Sequence, residues 1–330
     1  MYKFLTQINK EDWTQLVTHS SVASFFQTPI CYDFYQSLNF LKPFVFGVEE
    51  NGVLQALVCG YVITDGNLLK RFLSRRAIIP GGILVAPQVS SDCVGFLMNH
   101  VKQELKNQAI YIEIRNYFDY TFYRPAIEKA QFRYQPHLNF HVPTLDLESS
   151  LKQLNSTKRR DVKLSQKNGA EIVLAKTLTD VQSYYGLLKK LYQEKVKTPL
   201  FPYDFFERLF QLDEAKFFLI KYQERIIGGS VCVTVPGRVL YEWFVCGLDR
   251  EIKNVYPSTL ATWGAIEYAA TNQFTYFDMM GAGKPQESYG VREFKAKFGG
   301  ELVEHGRFCY VCNSLLYTIG KLGVKVLKHK

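Results

Sequence analysis

The sequence predicts a mixed α/β chain built from two copies of one unit, and three observations carry that reading. Phe44–Cys59 (FVFGVEENGVLQALVC) lies without gaps over Phe217–Cys232 (FFLIKYQERIIGGSVC) at an offset of 173. Asn107–Glu113 (NQAIYIE) lies over Asn272–Asp278 (NQFTYFD) at an offset of 165, in the same order along the chain. Each half also reads as a helical start, an antiparallel meander, a helix and a further strand. Two ordered matches argue for a duplicated domain, and strands mixed with helices predict open sheets with helices on their faces. The link is expected near Pro143–Ser150, giving domains 1–148 and 149–307.

Local chemistry justifies the elements in turn. Glu50-Asn51-Gly52 and Gln223-Glu224-Arg225 are hairpin turns, Asn-Gly being a strong signal for one. Ser90-Ser91 is a natural N-cap pair for the helix that precedes Asn107. Thr157–Lys167 is a basic helix with Arg159, Lys163 and Lys167 at i, i+4 and i+8 on one face, Arg160 beside them, and Asn168-Gly169 as its stop. Pro236-Gly237 turns Ile226–Val235 into Arg238–Cys246. Pro257-Ser258 opens a helix that runs to Thr271, the proline standing where a missing N–H costs nothing. Finally, Leu315, Leu316, Ile319, Leu322 and Val326 share a helical face, with Lys321, Lys325 and Lys328 off it. Such a helix docks on a core or lies on an anionic membrane.

Composition narrows the function classes. Among 330 residues, 47% are hydrophobic and 15% aromatic, which excludes disorder. No run approaches the ~18–20 apolar residues of a membrane span. The acids in MYKFLTQINKEDW speak against an export signal, so a cytoplasmic protein is expected. Seven scattered cysteines fit reduced thiols. Cys309-x-x-Cys312 has no second pair and no H-E-x-x-H occurs, so neither metal nor cofactor is expected. The net charge of +9 is concentrated, residues 151–200 holding eleven Lys/Arg against four Asp/Glu. A patch this local suits the phosphates of RNA, nucleotides or lipid headgroups.

The richest stretch is Phe277–Arg307, FDMMGAGKPQESYGVREFKAKFGGELVEHGR. It runs a short strand into a loop with Gly281 and Gly283, then sets Arg292, Lys295 and Lys297 among Tyr289, Phe294 and Phe298. Glycines let backbone amides approach a ligand, and cations among aromatics suit an anionic, ring-bearing partner. An Asp-ending strand, Gly-Ala-Gly, Tyr-Gly and Phe-Lys-x-x-Phe-Gly-Gly together resemble the closing motif of the FemAB/FemX-like transferases. Phe26-Gln27-Thr28-Pro29, Ser156–Arg160 and Pro257-Ser258 are further similar places, so the resemblance covers nearly the whole chain.

That resemblance implies two tandem acetyltransferase (GNAT)-like domains, each a mixed, mostly antiparallel sheet flanked by helices, with Phe308–Lys330 returned to the first. It implies transfer of an aminoacyl group from aminoacyl-tRNA to a peptidoglycan precursor or another cell-envelope acceptor, with no DNA partner; peripheral contact at the inner face of the membrane is the expectation that the basic C-terminal helix adds on its own. Phe294 and Lys295 then contact the 3′ end of the donor, Lys295 stabilising the developing negative charge. Arg292, Lys297, Gly281, Gly283, Arg159, Arg160 and Lys163 are the other expected donor contacts. Where precursor-using members carry Thr-x-x-Arg-x-x-Phe, this chain has Glu194, Lys197 and Leu200. Lys197 and Tyr289 are the expected acceptor contacts.

The residues themselves fit acyl transfer without an enzyme nucleophile, because no nucleophile elbow, P-loop or Rossmann fingerprint occurs. Such a site needs a cation or N–H where the carbonyl oxygen gains charge and two substrates held in line. Asp278 and Glu113, each ending a strand, are candidate bases, with Asp278 preferred. Coenzyme A binding calls for a Gly-rich loop at a helix N-terminus. The equivalent stretches, Lys253–Ser258 and Ala86–Ser90, contain no glycine and one proline each. This favours a charged-tRNA donor. An acyl-CoA-dependent N-acyltransferase acting on a cell-surface glycan or small molecule stays open, as does a non-catalytic RNA- or glycan-binding module.

Overall fold

In the computed structural model, which describes residues 1–64, 74–235 and 237–328, the chain opens with β1 (Tyr2–Leu5), α1 (Lys10–His19) and α2 (Pro29–Gln36). β2 (Leu41–Glu50) and β3 (Val53–Ile63) form the first hairpin. β4 (Arg76–Gly81), β5 (Leu84–Val85), α3 (Ser91–Leu105), β6 (Tyr111–Asn116), α4 (Arg124–Lys129) and β7 (Arg133–Gln135) follow. The chain continues through β8 (Leu138–Pro143), α5 (Leu147–Gln153), α6 (Ser156–Lys167), β9 (Ala170–Leu174), α7 (Leu178–Leu191), a π-turn (Tyr192–Val196) and α8 (Tyr203–Phe210). Next come β10 (Ala215–Tyr222), β11 (Arg225–Val235), β12 (Val239–Gly247), α9 (Pro257–Thr271), β13 (Tyr276–Asp278), α10 (Gly290–Ala296) and β14 (Glu301–Glu304). β15 (Arg307–Val311) and α11 (Ser314–Lys328) end the described chain.

These elements form two units, Met1–Pro136 with Glu304–Lys330, and His137–Val303. One sheet has the order β1-β2-β3-β4-β6-β15-β7, with β5 pairing β3; the other has β9-β10-β11-β12-β13-β8-β14. Each carries one parallel pair among antiparallel ones: β4 pairs β6 in parallel, and β12 pairs β13 in parallel. The two orders correspond strand for strand, so the duplication is real. Both units are mixed, mostly antiparallel sheets flanked by helices.

Pairing refines the sequence alignment. Glu50 pairs with Val53, and Tyr222 with Arg225, so the two hairpins correspond at an offset of 172 rather than 173. Each carries a bulge at the matching place, between Val48 and Glu49 and between Ile220 and Lys221. A one-residue slip exchanges the faces of a strand, so pairing, not letter identity, fixes the correspondence. The second match holds as read: Tyr111 and Tyr276 each begin the parallel pairing, with Arg76 and Val239.

The boundary also moves. β8 pairs with β13, His141 opposite Asp278, so Leu138–Pro143 belongs to the second sheet. The chain therefore crosses after Pro136, not at 148/149, and crosses back before Glu304. Each sheet is completed by a strand from outside its own repeat: β15 beside β6, and β8 beside β13.

In the first unit Ile112, Ile114 and Phe308 point into a core closed by Leu97, Met98 and Val101 of α3. Trp13 and Leu16 of α1 cover Val45, Leu57 and Cys59 on the other face. In the second unit Phe218, Ile220 and Leu240 pack under Leu260, Ala261, Ala265 and Ile266 of α9. The expected caps form: Ser90 Oγ accepts from Cys93 N–H at 3.1 Å, and Gly169 has φ +89° after α6. Pro236 of the expected turn lies outside the described residues, while Arg238 N–H closes that turn on Val235 O at 3.0 Å. The side chains of Leu322, Lys325, Val326 and Lys328 also lie outside them. No helix of the described residues is long and apolar enough to cross a membrane.

Candidate active site

The second sheet forks where its parallel pair ends. β12 and β13 pair from Val239–Tyr276 to Tyr241–Asp278; β12 then runs on to Gly247 while the other chain turns away. In the first unit the equivalent strands stay zipped over six pairs, Arg76–Tyr111 to Gly81–Asn116. The fork leaves Glu242, the next residue of β12, and Asp278, the last of β13, at the point of divergence. Both are buried, with Lys295 and Lys158 also buried in this unit. With Asp161 they make five buried charged side chains among the described residues of a mostly apolar unit, costly unless each is satisfied.

Satisfaction comes first from the Gly-rich loop after β13. Asp278 Oδ1 accepts from Met280 N–H at 2.6 Å and from Asn139 Nδ2 at 2.7 Å. Asn139 Oδ1 accepts from Gly281 N–H at 2.7 Å, and His141 Nε2 lies 3.1 Å from Asp278 Oδ2. Leu138 on β8 exchanges hydrogen bonds with the loop, taking Ala282 N–H at 2.6 Å and giving its own N–H to Gly283 O at 2.8 Å. Gly281 and Gly283 sit at φ +108° and +78°, where a β-carbon is strained. A β-carbon on Gly283 would also come within 2.8 Å of the Tyr289 ring.

Two cations one turn apart on α10 hold the loop's carbonyls. Lys295 Nζ donates to Met279 O and, at 2.8 Å, to Gly281 O. Arg292 donates through Nε to Ala282 O at 2.8 Å and through its terminal nitrogens to Lys284 O and Pro285 O. Burial lowers the Lys295 pKa, while Glu242 and Asp278 oppose the shift. Burial raises the Glu242 pKa, against the pull of Lys295 and a hydrogen bond from Thr262. That bond, Thr262 Oγ1 to Glu242 Oε1, is 2.8 Å long. One turn earlier on α9, Thr259 Oγ1 accepts from Lys158 Nζ at 2.6 Å. The Lys158 ammonium lies 4.1 Å from the Phe294 ring centroid and 5.3 Å from that of Phe298, a cation–π arrangement. Burial lowers its pKa.

The expected residues fare differently. Phe294, Lys295, Asp278, Gly281, Gly283 and Tyr289 do gather at the fork. Arg292, expected among the donor contacts, clamps the loop instead, because its guanidinium faces three carbonyl oxygens. Gly281, expected to offer its amide to the donor, spends that amide on Asn139. Lys297 is exposed at the end of α10, its carbonyl accepting from Asn155 N–H at 2.9 Å. Arg159, Arg160 and Lys163 line, with Ser156, Leu164 and Lys167, a groove of about 380 Å³ along α6. Lys197 is exposed and left-handed (φ +54°) at the end of the π-turn. Tyr192, at the start of that turn, has a pKa raised by burial, by Cys246 and by Tyr289. Glu113, the other base candidate, takes Arg115 Nε at 2.7 Å and Arg307 Nη1 at 3.3 Å in the first unit.

Residues 152–295 match the model of the acetyltransferase (GNAT) domain, a span that lies wholly in the forked unit. FemX is similar over the full length, with 14% identity, a TM-score of 0.72, and 96% of this chain and 99% of that one covered. The chain has a FemX-like tandem GNAT fold. A tandem GNAT protein from the clavulanic acid biosynthesis pathway shares 11% identity at a TM-score of 0.59, covering 95% and 99%. L-PGS from Bacillus licheniformis shares 11% at 0.57, covering 98% of each. No curated protein matches by sequence. The resemblance read from the closing motif and the fold agree.

Proposed function

We propose that the protein transfers an aminoacyl group from aminoacyl-tRNA to an amine of a peptidoglycan precursor or a related cell-envelope acceptor. The observation that carries this reading is the start of α9. Pro257 stands at its first position, Ser258 N–H donates to the Asp249 carboxylate at 3.2 Å, and Tyr256 N–H donates to Ser165 Oγ at 2.9 Å. A helix N-terminus that already holds its own carboxylate is a poor seat for the pyrophosphate of coenzyme A. Beside it, α6 presents four cations along one groove, the pattern that grips a polyphosphate backbone without reading bases.

In this reading the amine attacks the ester carbonyl carbon, the carbonyl oxygen gains charge, and the terminal ribose oxygen of the tRNA leaves. Lys295 commits two of its three N–H donors to Met279 O and Gly281 O, leaving one for the oxyanion. Glu242, its pKa raised, takes the proton that the amine sheds and gives it to the departing ribose oxygen. Asp278 serves by position: its Oδ1 holds Met280 N–H and Asn139. Phe294, backed by Lys158, offers the ring for a donor base.

The second reading, an acyl-CoA donor, is favoured by the match to the acetyltransferase domain model. Incubation with charged tRNA, and separately with acyl-CoA, against lipid-linked and nucleotide-linked muropeptides decides between them by product mass. Product from acyl-CoA alone overturns the first reading. Donor RNA affinity is expected to fall steeply with salt. Arg159→Ala with Lys163→Ala should lower the slope of log K on log salt by about 0.7–0.9 per lost contact. An unchanged slope in a salt titration returns the α6 face to plain solvation.

A further inference from the structure

We propose that α11 is a membrane-surface helix that seats the protein on an anionic lipid bilayer. One side of this helix is fixed to its own unit. Tyr317 packs edge-on against Tyr111 of β6, ring centroids 5.4 Å apart, and Asn313 caps the start by accepting from Leu316 N–H at 3.0 Å. Away from that contact, Leu315 is 69% exposed and Ile319 50% exposed. In the sequence, Leu322 and Val326 follow Leu315 at i+7 and i+11. From His305 to Lys330 the sequence has no Asp or Glu, yet it carries Lys321, Lys325, Lys328 and Lys330. Lys321 lays its ammonium 4.5 Å from the Tyr317 ring centroid, its stem available to reach past the apolar side.

An exposed apolar stripe beside lysines, with no acid, selects the partner. RNA would use the lysines and leave the leucine and isoleucine in water. A second copy would cover the stripe while bringing its own lysines against these. A bilayer with anionic headgroups takes both, apolar side chains into the acyl boundary and lysines at the headgroups. The inference rests on α11 alone and holds whichever acyl donor the fork uses.

The test is flotation of the full chain with vesicles of phosphatidylglycerol and phosphatidylcholine in equal parts, against phosphatidylcholine alone, at about 0.1 M salt. Binding is expected only to the anionic vesicles. Leu315→Ser with Ile319→Ser should weaken it more than tenfold, the melting temperature staying that of the parent because both residues are exposed. Lys325→Gln with Lys328→Gln should weaken it about fivefold per lysine and remove the preference for anionic lipid. Arg159→Ala with Lys163→Ala should leave it unchanged. Equal flotation with both vesicle types, or unchanged binding by the Leu315/Ile319 variant, overturns the proposal. So does a dimer, abolished by that variant, in a wild-type protein that does not float.

Discussion

Lys295→Met is expected to remove turnover and weaken the fold together. Its exposure is 7%, and its ammonium holds the carbonyls of Met279 and Gly281. Methionine keeps the stem but leaves those oxygens without a donor and Glu242 without its nearby cation. Breaking a buried ionic arrangement from one side costs about 3–5 kcal/mol, and losing a donor to the oxyanion lowers kcat/KM by about 10²–10³. The pH dependence separates this loss from mere cavity formation. Burial raises the Glu242 pKa and Lys295 is the first group opposing it, so the variant raises it further. A carboxyl whose folded pKa exceeds its unfolded one penalises the fold fully above the folded pKa, and the penalty vanishes below the unfolded value. The stability deficit should therefore be largest at neutral to alkaline pH and shrink as pH falls. Urea melts across pH, with single-turnover assays on the folded fraction, measure both. Parental stability at neutral pH would mean that the ammonium carries no such load.

How much of this was legible follows from which interactions are local. Turns and caps depend on a few adjacent residues, so Asn51-Gly52, Ser90 and Asn168-Gly169 announce themselves. The duplication was legible because Tyr111 and Tyr276 keep one place in one topology. The offset of the hairpins was not, since pairing rather than letter matching decides register. The membership of β8 was hidden because its partner β13 lies more than a hundred residues away. At the site, Lys295 and Phe294 stood out by motif, but their environment did not. A lysine among glycines looks exposed, and only the fold shows that it is buried near Glu242 on β12 and Asp278 on β13, with Thr262 on α9 bonded to the first and Asn139 on β8 to the second. Lys158 went unremarked inside Ser156–Arg160, although it turns inward while Arg159, Arg160 and Lys163 line the outer groove. A sign existed for Glu242: it is the lone acid in Val239–Gly247, VLYEWFVCG, where an unpaired charge needs a reason.

That reason leads to the second large effect: Glu242→Gln is expected to lower kcat by about 10²–10⁴, the range for a general base. Asp278 was the acid favoured by sequence, but its Oδ1 already accepts from Met280 N–H and Asn139 Nδ2 and its Oδ2 lies 3.1 Å from His141 Nε2, so it fixes the loop. Glu242 differs in three respects. It sits at the mouth of the fork, Thr262 is its hydrogen-bond donor among the described residues, and burial raises its pKa toward the working pH. A base of this kind must be ionised to act, so the parent's rate should fall on the acid side as Glu242 protonates. Glutamine preserves size and the contact with the Thr262 hydroxyl but cannot take a proton, so the variant should be slow and lack that acid limb. Donor KM should hold, because nothing on α6 or around Phe294 changes. Removing the carboxylate also takes from Lys295 the larger of its two counter-charges, Asp278 being the other, so its pKa falls further and stability should recover as pH rises, the reverse of the Lys295→Met profile. Pre-steady-state rates across pH, with urea melts beside them, test both signs. An acid limb that survives in Glu242→Gln assigns the titrating group elsewhere and takes Glu242 out of the proton path.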